Sequence, residues 1–91
     1  MQLLIDLGNT RLKWALLRDG TIVTRGAFEH GGNAVSAALE RDSALVDVEV
    51  ERILVASVAP LALDVDLEDF ARQRFAVAPR EDFAIEHVEA A

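Results

Sequence analysis

Asp19-Gly20 stands between two runs that alternate apolar and polar residues, and no other feature narrows the fold as far. A two-residue type I′ turn needs positive φ at both central positions, which Asp-Gly tolerates and most pairs do not. The flanking segments, Arg11 to Arg18 and Thr21 to Phe28, are therefore expected to be antiparallel strands. On the first, Leu12, Trp14 and Leu16 share one face, and Arg11, Lys13 and Ala15 the other. On the second, Ile22 and Thr24 alternate with Val23 and Arg25. Upstream, the apolar residues of Gln2 to Asp6 run together rather than alternate, as in a central strand. A turn at Gly8-Asn9-Thr10 joins that strand to Arg11, so the chain opens as a three-stranded meander.

Gly31-Gly32 then breaks the strand pattern. Asn33 is an N-cap residue type, and Ala34 to Val46 is expected to be a helix with Val35, Ala38, Leu39 and Leu45 on its apolar stripe. Glu51 to Ser57 contains "RILVAS", a compact apolar run expected to be a fourth strand buried on both faces. Pro60 suits the first turn of a second helix, where its missing N–H does no harm. Leu63, Leu67, Phe70, Ala71 and Arg74 follow at helical spacing. Asp64, Asp66, Glu68 and Asp69 lie early and Arg72 and Arg74 late, a polarity that suits the helix dipole. Those four acids cannot all face one way, which favours a solvated helix start over a metal cluster. "FAVAP" at 75–79 is the expected fifth strand. Residues 1–79 are read as one domain and 80–91 as a tail or the start of a further segment. Right-handed crossovers after the meander add parallel strands. The result is an α/β order, β-β-β-α-β-α-β, with a mixed sheet whose first three strands are antiparallel; it resembles a ribonuclease H-like half-domain.

A chain of 91 residues holds one small domain and buries only about 60–65% of its unfolded surface. Its formal net charge of −7 weighs against nucleic acid as a partner. The charge is uneven: residues 1–30 carry four Lys/Arg against three Asp/Glu, and residues 31–91 five against thirteen. An anion meets less repulsion near the first turn. The absence of cysteine excludes disulfides and thiolate metal sites. His30 and His87 read as a solvated loop residue and a solvated tail residue, Trp14 as core, and Ser57 as a strand-end residue or a cap. No basic n-region precedes the first apolar run, Asp6 interrupts that run, and no stretch approaches the length of a membrane span. The expected compartment is the cytoplasm, with no membrane partner.

Asp6-Leu7-Gly8-Asn9-Thr10 is either a plain hairpin turn or a phosphate cradle. Glycine lets backbone approach an anion closely, and successive turn N–H groups can form an anion-binding concavity. Thr10 adds a hydroxyl, Lys13 a compact cation, and Asp6 a carboxylate able to hold Mg²⁺ directly or through its waters. Phosphoryl transfer depends above all on positioning and electrostatics, so this inventory serves half of such a site.

At these residues "DLGNTRLKWAL" (Asp6 to Leu16) resembles the first phosphate motif of type III pantothenate kinases, a group that also contains the Bvg accessory factor proteins. The group belongs to the acetate and sugar kinase, heat-shock chaperone and actin superfamily, with the looser signature D-x-G-x-T. "VASVAP" (Val55 to Pro60) resembles a second stretch of the same family. The resemblance spans residues 2–79. It implies that Asp6 helps place Mg²⁺ and the ATP phosphates, that Gly8, Asn9 and Thr10 wrap them, and that Arg11 and Lys13 support the loop or the phosphates. It also implies transfer of the ATP γ-phosphate to the 4′-hydroxyl of pantothenate in coenzyme A biosynthesis, a monovalent cation (K⁺ or NH₄⁺), and a homodimer. The family's G-x-D-R stretch, which carries its general base, and its second phosphate motif, D-x-G-T, are not found here. Asp82 and Glu86 lie near the expected place of the former but lack the Gly and the Asp-Arg pair. No catalytic base is assigned, and the chain reads as the N-terminal part of a longer protein. The alternatives are a non-enzymatic regulator of the Bvg accessory type and a stand-alone interaction module.

Overall fold

The computed structural model describes residues 1–45, 48–75 and 84–88. The meander consists of β1 (Gln2–Leu7), β2 (Arg11–Arg18) and β3 (Thr21–Glu29). A short helix α1 (Ser36–Arg41) and a 3-10 turn at Ser43–Leu45 precede β4 (Arg52–Ser57), and α2 (Leu61–Phe75) precedes β5 (Ala84–Val88). The five strands form one sheet in the order β3-β2-β1-β4-β5. Pairing is antiparallel from β1 to β3 and parallel from β1 through β4 to β5. This is the mixed α/β sheet of a ribonuclease H-like half-domain.

Local chemistry accounts for the meander. Asp19 and Gly20 have φ of 52° and 80°, the pair of positive values that a type I′ turn requires. Leu3, Ile5 and Leu7 of β1 stand opposite Leu16, Trp14 and Leu12 of β2, and all six are buried. The indole of Trp14 lies against Gly26, its partner on β3; a Cβ at Gly26 would fall 2.7 Å from the ring. Glycine is therefore the residue that lets an indole lie across this strand pair. One expectation changes on β3. A bulge between Leu16 and Leu17 pairs Leu17 with Ile22 but Leu16 with Thr24. Because an extra residue reverses the alternation, Ile22 and Thr24 face opposite sides instead of sharing one.

Both helices cover the face carrying Leu3, Ile5 and Leu7. Val35 and Leu39 from the α1 region and Leu63, Leu67, Phe70 and Phe75 from α2 join Ile53 and Val55 of β4 in one core. Fully burying a Leu or Phe contributes about 1.5–3 kcal/mol, so this stripe anchors α2. The opposite sheet face has no described element over it. There Leu4, Ala15, Leu54 and Ala56 are half-buried and Asp6, Lys13, Arg25 and Ala27 are exposed. Among the described residues β1 and β4 are thus covered on one side, whereas the apolar run of β4 is expected to be buried on both faces. Leu61, Val65 and Val58 also leave apolar surface exposed.

α1 is shorter than the expected 34–46. Its N-cap is Val35, which offers no side-chain bond. The cap comes from α2 instead: Val35 and Ser36 N–H both donate to Asp66 Oδ2, at 2.8 and 3.0 Å. At the other end Asp42 is extended, and its Oδ1 accepts from Ala44 N–H at 3.0 Å, a local side-chain bond that competes with helix. Residue 46 lies outside the described residues. Asp66 is therefore a structural acceptor rather than part of a solvated helix start, and Asp64 Oδ1 is buried without a hydrogen-bond partner among the described residues. Replacing Asp66 with alanine is expected to cost about 1–2 kcal/mol, the size of a lost cap. Urea unfolding checks this, and an unchanged midpoint would show that the two bonds contribute nothing net.

The fifth strand also moves. Phe75 closes α2, and 76–79, the rest of the segment read as a strand, lies outside the described residues. β5 forms at Ala84–Val88, where Ile85 pairs with Ile53 and His87 with Val55. His87 is exposed, as expected, but on a strand rather than in a tail.

Candidate functional site

The candidate residues gather where β1 gives way to β2. Asp6 and Lys13 are directly opposed across the two strands, so their side chains share the uncovered face. Both are exposed, and among the described residues they make no ion pair with each other. Asp6 ends an apolar strand without being desolvated, because among the described residues the face it occupies is open. Asp6 and Lys13 line a cavity of about 490 Å³ together with apolar Leu4, Ala15 and Ala27 and a third charged residue, Arg25. Arg25 was not singled out in the sequence; its signal is an alternation that places it on the same face as Lys13. Arg11 lies 3.7 Å from Glu29, both well exposed, an arrangement that contributes little to stability.

The turn itself has a distinct polarity. Gly8 N–H donates to Arg11 O at 2.8 Å, and a Cβ at Gly8 would approach that same oxygen to 3.1 Å. Glycine is favoured here by close approach rather than by positive φ. The carbonyl of Thr10 accepts from His30 N–H at 2.8 Å and from Gly31 N–H at 3.2 Å. The carbonyl of Gly8 accepts from His30 Nε2 at 2.8 Å. Asn9 and Thr10, both exposed, have N–H groups with no acceptor among the described residues. The loop ties two of its carbonyls to His30 and Gly31 and leaves these two donors unpaired among the described residues.

His30 is not the solvated loop residue expected from the sequence: it is 6% exposed. The β2–β3 ladder ends at the pair Arg11 and Glu29, so the next residue of β3's continuation reaches Thr10 and the turn. Gly31 and Gly32, with φ of 60° and 86°, then fold the chain back, and Gly32 N–H donates to His30 Nδ1 at 2.9 Å. The signal available in the sequence was a histidine followed directly by two glycines at a strand end. The second matching stretch, Val55 to Pro60, is stitched beside the loop. Val58 N–H donates to Leu7 O at 3.0 Å, and Ser57, the last residue of β4 and so the strand-end residue rather than a helix cap, accepts at Oγ from Ala59 N–H at 3.2 Å in a local turn.

Residues 2–83 match the family model of type III pantothenate kinases. The chain belongs to that family. Curated type III pantothenate kinases resemble it over shorter stretches. That of Chromobacterium violaceum is 44% identical over 59 residues, covering 65% of this chain and 25% of the relative. That of Nitrosococcus oceani is 32% identical over 79 residues, covering 87% and 29%. That of Paraburkholderia phymatum is 62% identical over 34 residues, covering 36% and 12%. The chain thus spans little more than a quarter of the relatives' length at most. Among solved structures, the Aquifex aeolicus PPX-GPPA enzyme matches with a TM-score of 0.48 and 18% identity, over 97% of this chain and 35% of that one. Within this type III pantothenate kinase family member, the described residues contain no group of three or more His, Asp or Glu able to hold a metal ion. No described helix is long and apolar enough to cross a membrane.

Proposed function

We propose that this chain is the N-terminal half-domain of an ATP-dependent kinase that phosphorylates pantothenate to 4′-phosphopantothenate, the first step of coenzyme A biosynthesis. The observation that carries this reading is the polarity of the Gly8–Thr10 loop. Its carbonyls at Gly8 and Thr10 are tied back by His30 and Gly31, so the N–H groups of Asn9 and Thr10, beside the one remaining carbonyl of Asn9, are left to meet a ligand. A concavity of unpaired N–H groups attracts an anion, and Lys13 adds full charge on the next strand.

Each residue then has a task. Gly8, Asn9 and Thr10 wrap the ATP phosphates, Lys13 neutralises them, and Arg11, shared with Glu29, supports the loop. The donor chemistry fits Mg²⁺ in one form: a single exposed carboxylate, Asp6, which belongs to no group of three or more acids or histidines among the described residues. Mg²⁺ keeps several waters and is usually held by one or two carboxylates together with substrate phosphates. When bound, it would neutralise charge developing on the transferred phosphoryl group. The general base and pantothenate contacts are not assigned to residues of this chain. By family resemblance the whole enzyme is a cytoplasmic homodimer that also uses a monovalent cation.

Titrating the chain with Mg-ATP while following backbone amide resonances tests the reading. The largest shifts are expected at Gly8 through Lys13, with weak affinity for half a cleft. Shifts confined to residues outside 6–13 would instead favour a plain hairpin.

A further inference from the structure

We propose that His30 is a positioning residue for the phosphate loop, holding the Gly8–Asn9 peptide so that its N–H, and not its carbonyl, faces the nucleotide. This inference rests on the nucleotide-binding reading above.

The imidazole's two bonds define each other. Gly32 N–H donates to Nδ1 at 2.9 Å, so Nδ1 carries no proton. Nε2 must then carry it and donate to Gly8 O at 2.8 Å. The ring is 6% exposed, and both nitrogens are used.

Gly8 O and the N–H of Asn9 belong to one planar trans peptide unit, in which the C=O and N–H point in opposite directions. Drawing the carbonyl toward His30 therefore aims the Asn9 N–H away from it. Without that hold, the unit rotates about Gly8 ψ and Asn9 φ at low cost, because glycine lacks a Cβ and asparagine tolerates positive φ. A rotated unit would present a carbonyl oxygen where a phosphate oxygen must sit. The neighbouring Thr10 carbonyl is held by backbone N–H groups of His30 and Gly31, which a side-chain substitution leaves in place. The Gly8–Asn9 peptide is thus the part of the loop whose direction depends on a side chain.

The residue's chemistry separates substitutions. In His30→Gln, the amide nitrogen can donate to Gly8 O from about the reach of Nε2. In His30→Asn, only an acceptor near the Nδ1 position, for Gly32 N–H, is retained. In whole enzyme carrying this chain, His30→Asn is expected to raise the KM for ATP about tenfold, the size of a lost hydrogen bond to an ordered group. The KM for pantothenate should stay within about twofold, and His30→Gln should restore most of the ATP value. A purely structural role would instead lower stability and disturb both substrates alike.

A second measurement needs no variant. Imidazole nitrogen shifts of the wild-type chain report the tautomer, and a proton on Nδ1 would overturn the proposal. An active wild-type enzyme with an unchanged ATP KM in His30→Asn would overturn it while leaving the kinase reading intact. A wild-type enzyme that neither binds nor uses ATP would overturn both.

Discussion

Trp14→Ala is expected to destabilise the fold by about 3–5 kcal/mol, the range for truncating a buried large aromatic. Small domains have only about 5–15 kcal/mol of stability in total, so this variant should be close to unfolded at modest urea concentrations. The indole is 4% exposed, flanked by Leu12 and Leu16 on its own strand and opposed by Ile5. Its place depends on Gly26, where a Cβ would come within 2.8 Å of three ring atoms. Gly26→Ala is accordingly expected to cost about 1–3 kcal/mol through overpacking. The two effects should not add, because contacting residues couple. Once the indole is gone, the methyl at position 26 meets no ring and occupies part of the space it left. Gly26→Ala should then be nearly neutral in the Trp14→Ala background. Trp14 is the sole tryptophan, so circular dichroism rather than fluorescence must follow the four-member cycle. An equal cost of Gly26→Ala in both backgrounds would mean that the ring is not seated on the glycine.

The same strand pair shows which features are legible in a sequence and which are not. The Asp19-Gly20 hairpin was readable because a type I′ turn is specified by its own two residues. The inward set Leu12, Trp14 and Leu16 followed from a period of two. The bulge that turns Ile22 away from Thr24 was not readable, since it depends on how two strands settle against each other. α1 was overestimated for a similar reason: the acceptor that fixes its start, Asp66, comes 31 residues after Val35. The fifth strand was read at "FAVAP", of which 76–79 lie outside the described residues, whereas "AIEHV", interrupted by Glu86 and His87, carries only a weak local strand signal. Pairing with Ile53 and Val55 distinguishes the second.

The candidate site divides the same way. Asp6, Gly8, Asn9, Thr10 and Lys13 lie within eight consecutive residues and were visible as a pattern of acid, turn and cation. His30 was not, because what it binds lies 22 residues earlier and a lone histidine carries no periodic signal. Arg25 was hidden in the same manner on the third strand. The continuous apolar run in β4 suggested two covered faces, but apolarity states only that a residue tolerates burial. The described structure leaves Asp6 and Lys13 accessible on the uncovered face.

That accessibility sets up the largest functional effect. In the whole enzyme, Lys13→Ala and Asp6→Ala are each expected to reduce kcat/KM for ATP by about 10²–10³, the range for removing one preorganised group that stabilises developing charge. Both residues are exposed and unpaired with each other, so neither substitution opens a cavity or strands a buried charge. Folding stability should move by no more than about 0.5 kcal/mol, as for ordinary surface changes. Loss of rate without loss of fold is the signature to look for, and unfolding curves measured beside initial rates separate the two. The variants should also differ from each other. On the proposed reading Lys13→Ala removes a charge that meets the phosphates, so binding of nucleotide without Mg²⁺ should weaken. Asp6→Ala removes a carboxylate that repels phosphate unless Mg²⁺ lies between them, so metal-free nucleotide should bind no worse and the Mg²⁺ dependence should shift to higher concentration. Wild-type rates in both variants would remove Asp6 and Lys13 from the nucleotide site and leave the loop as a turn between two strands.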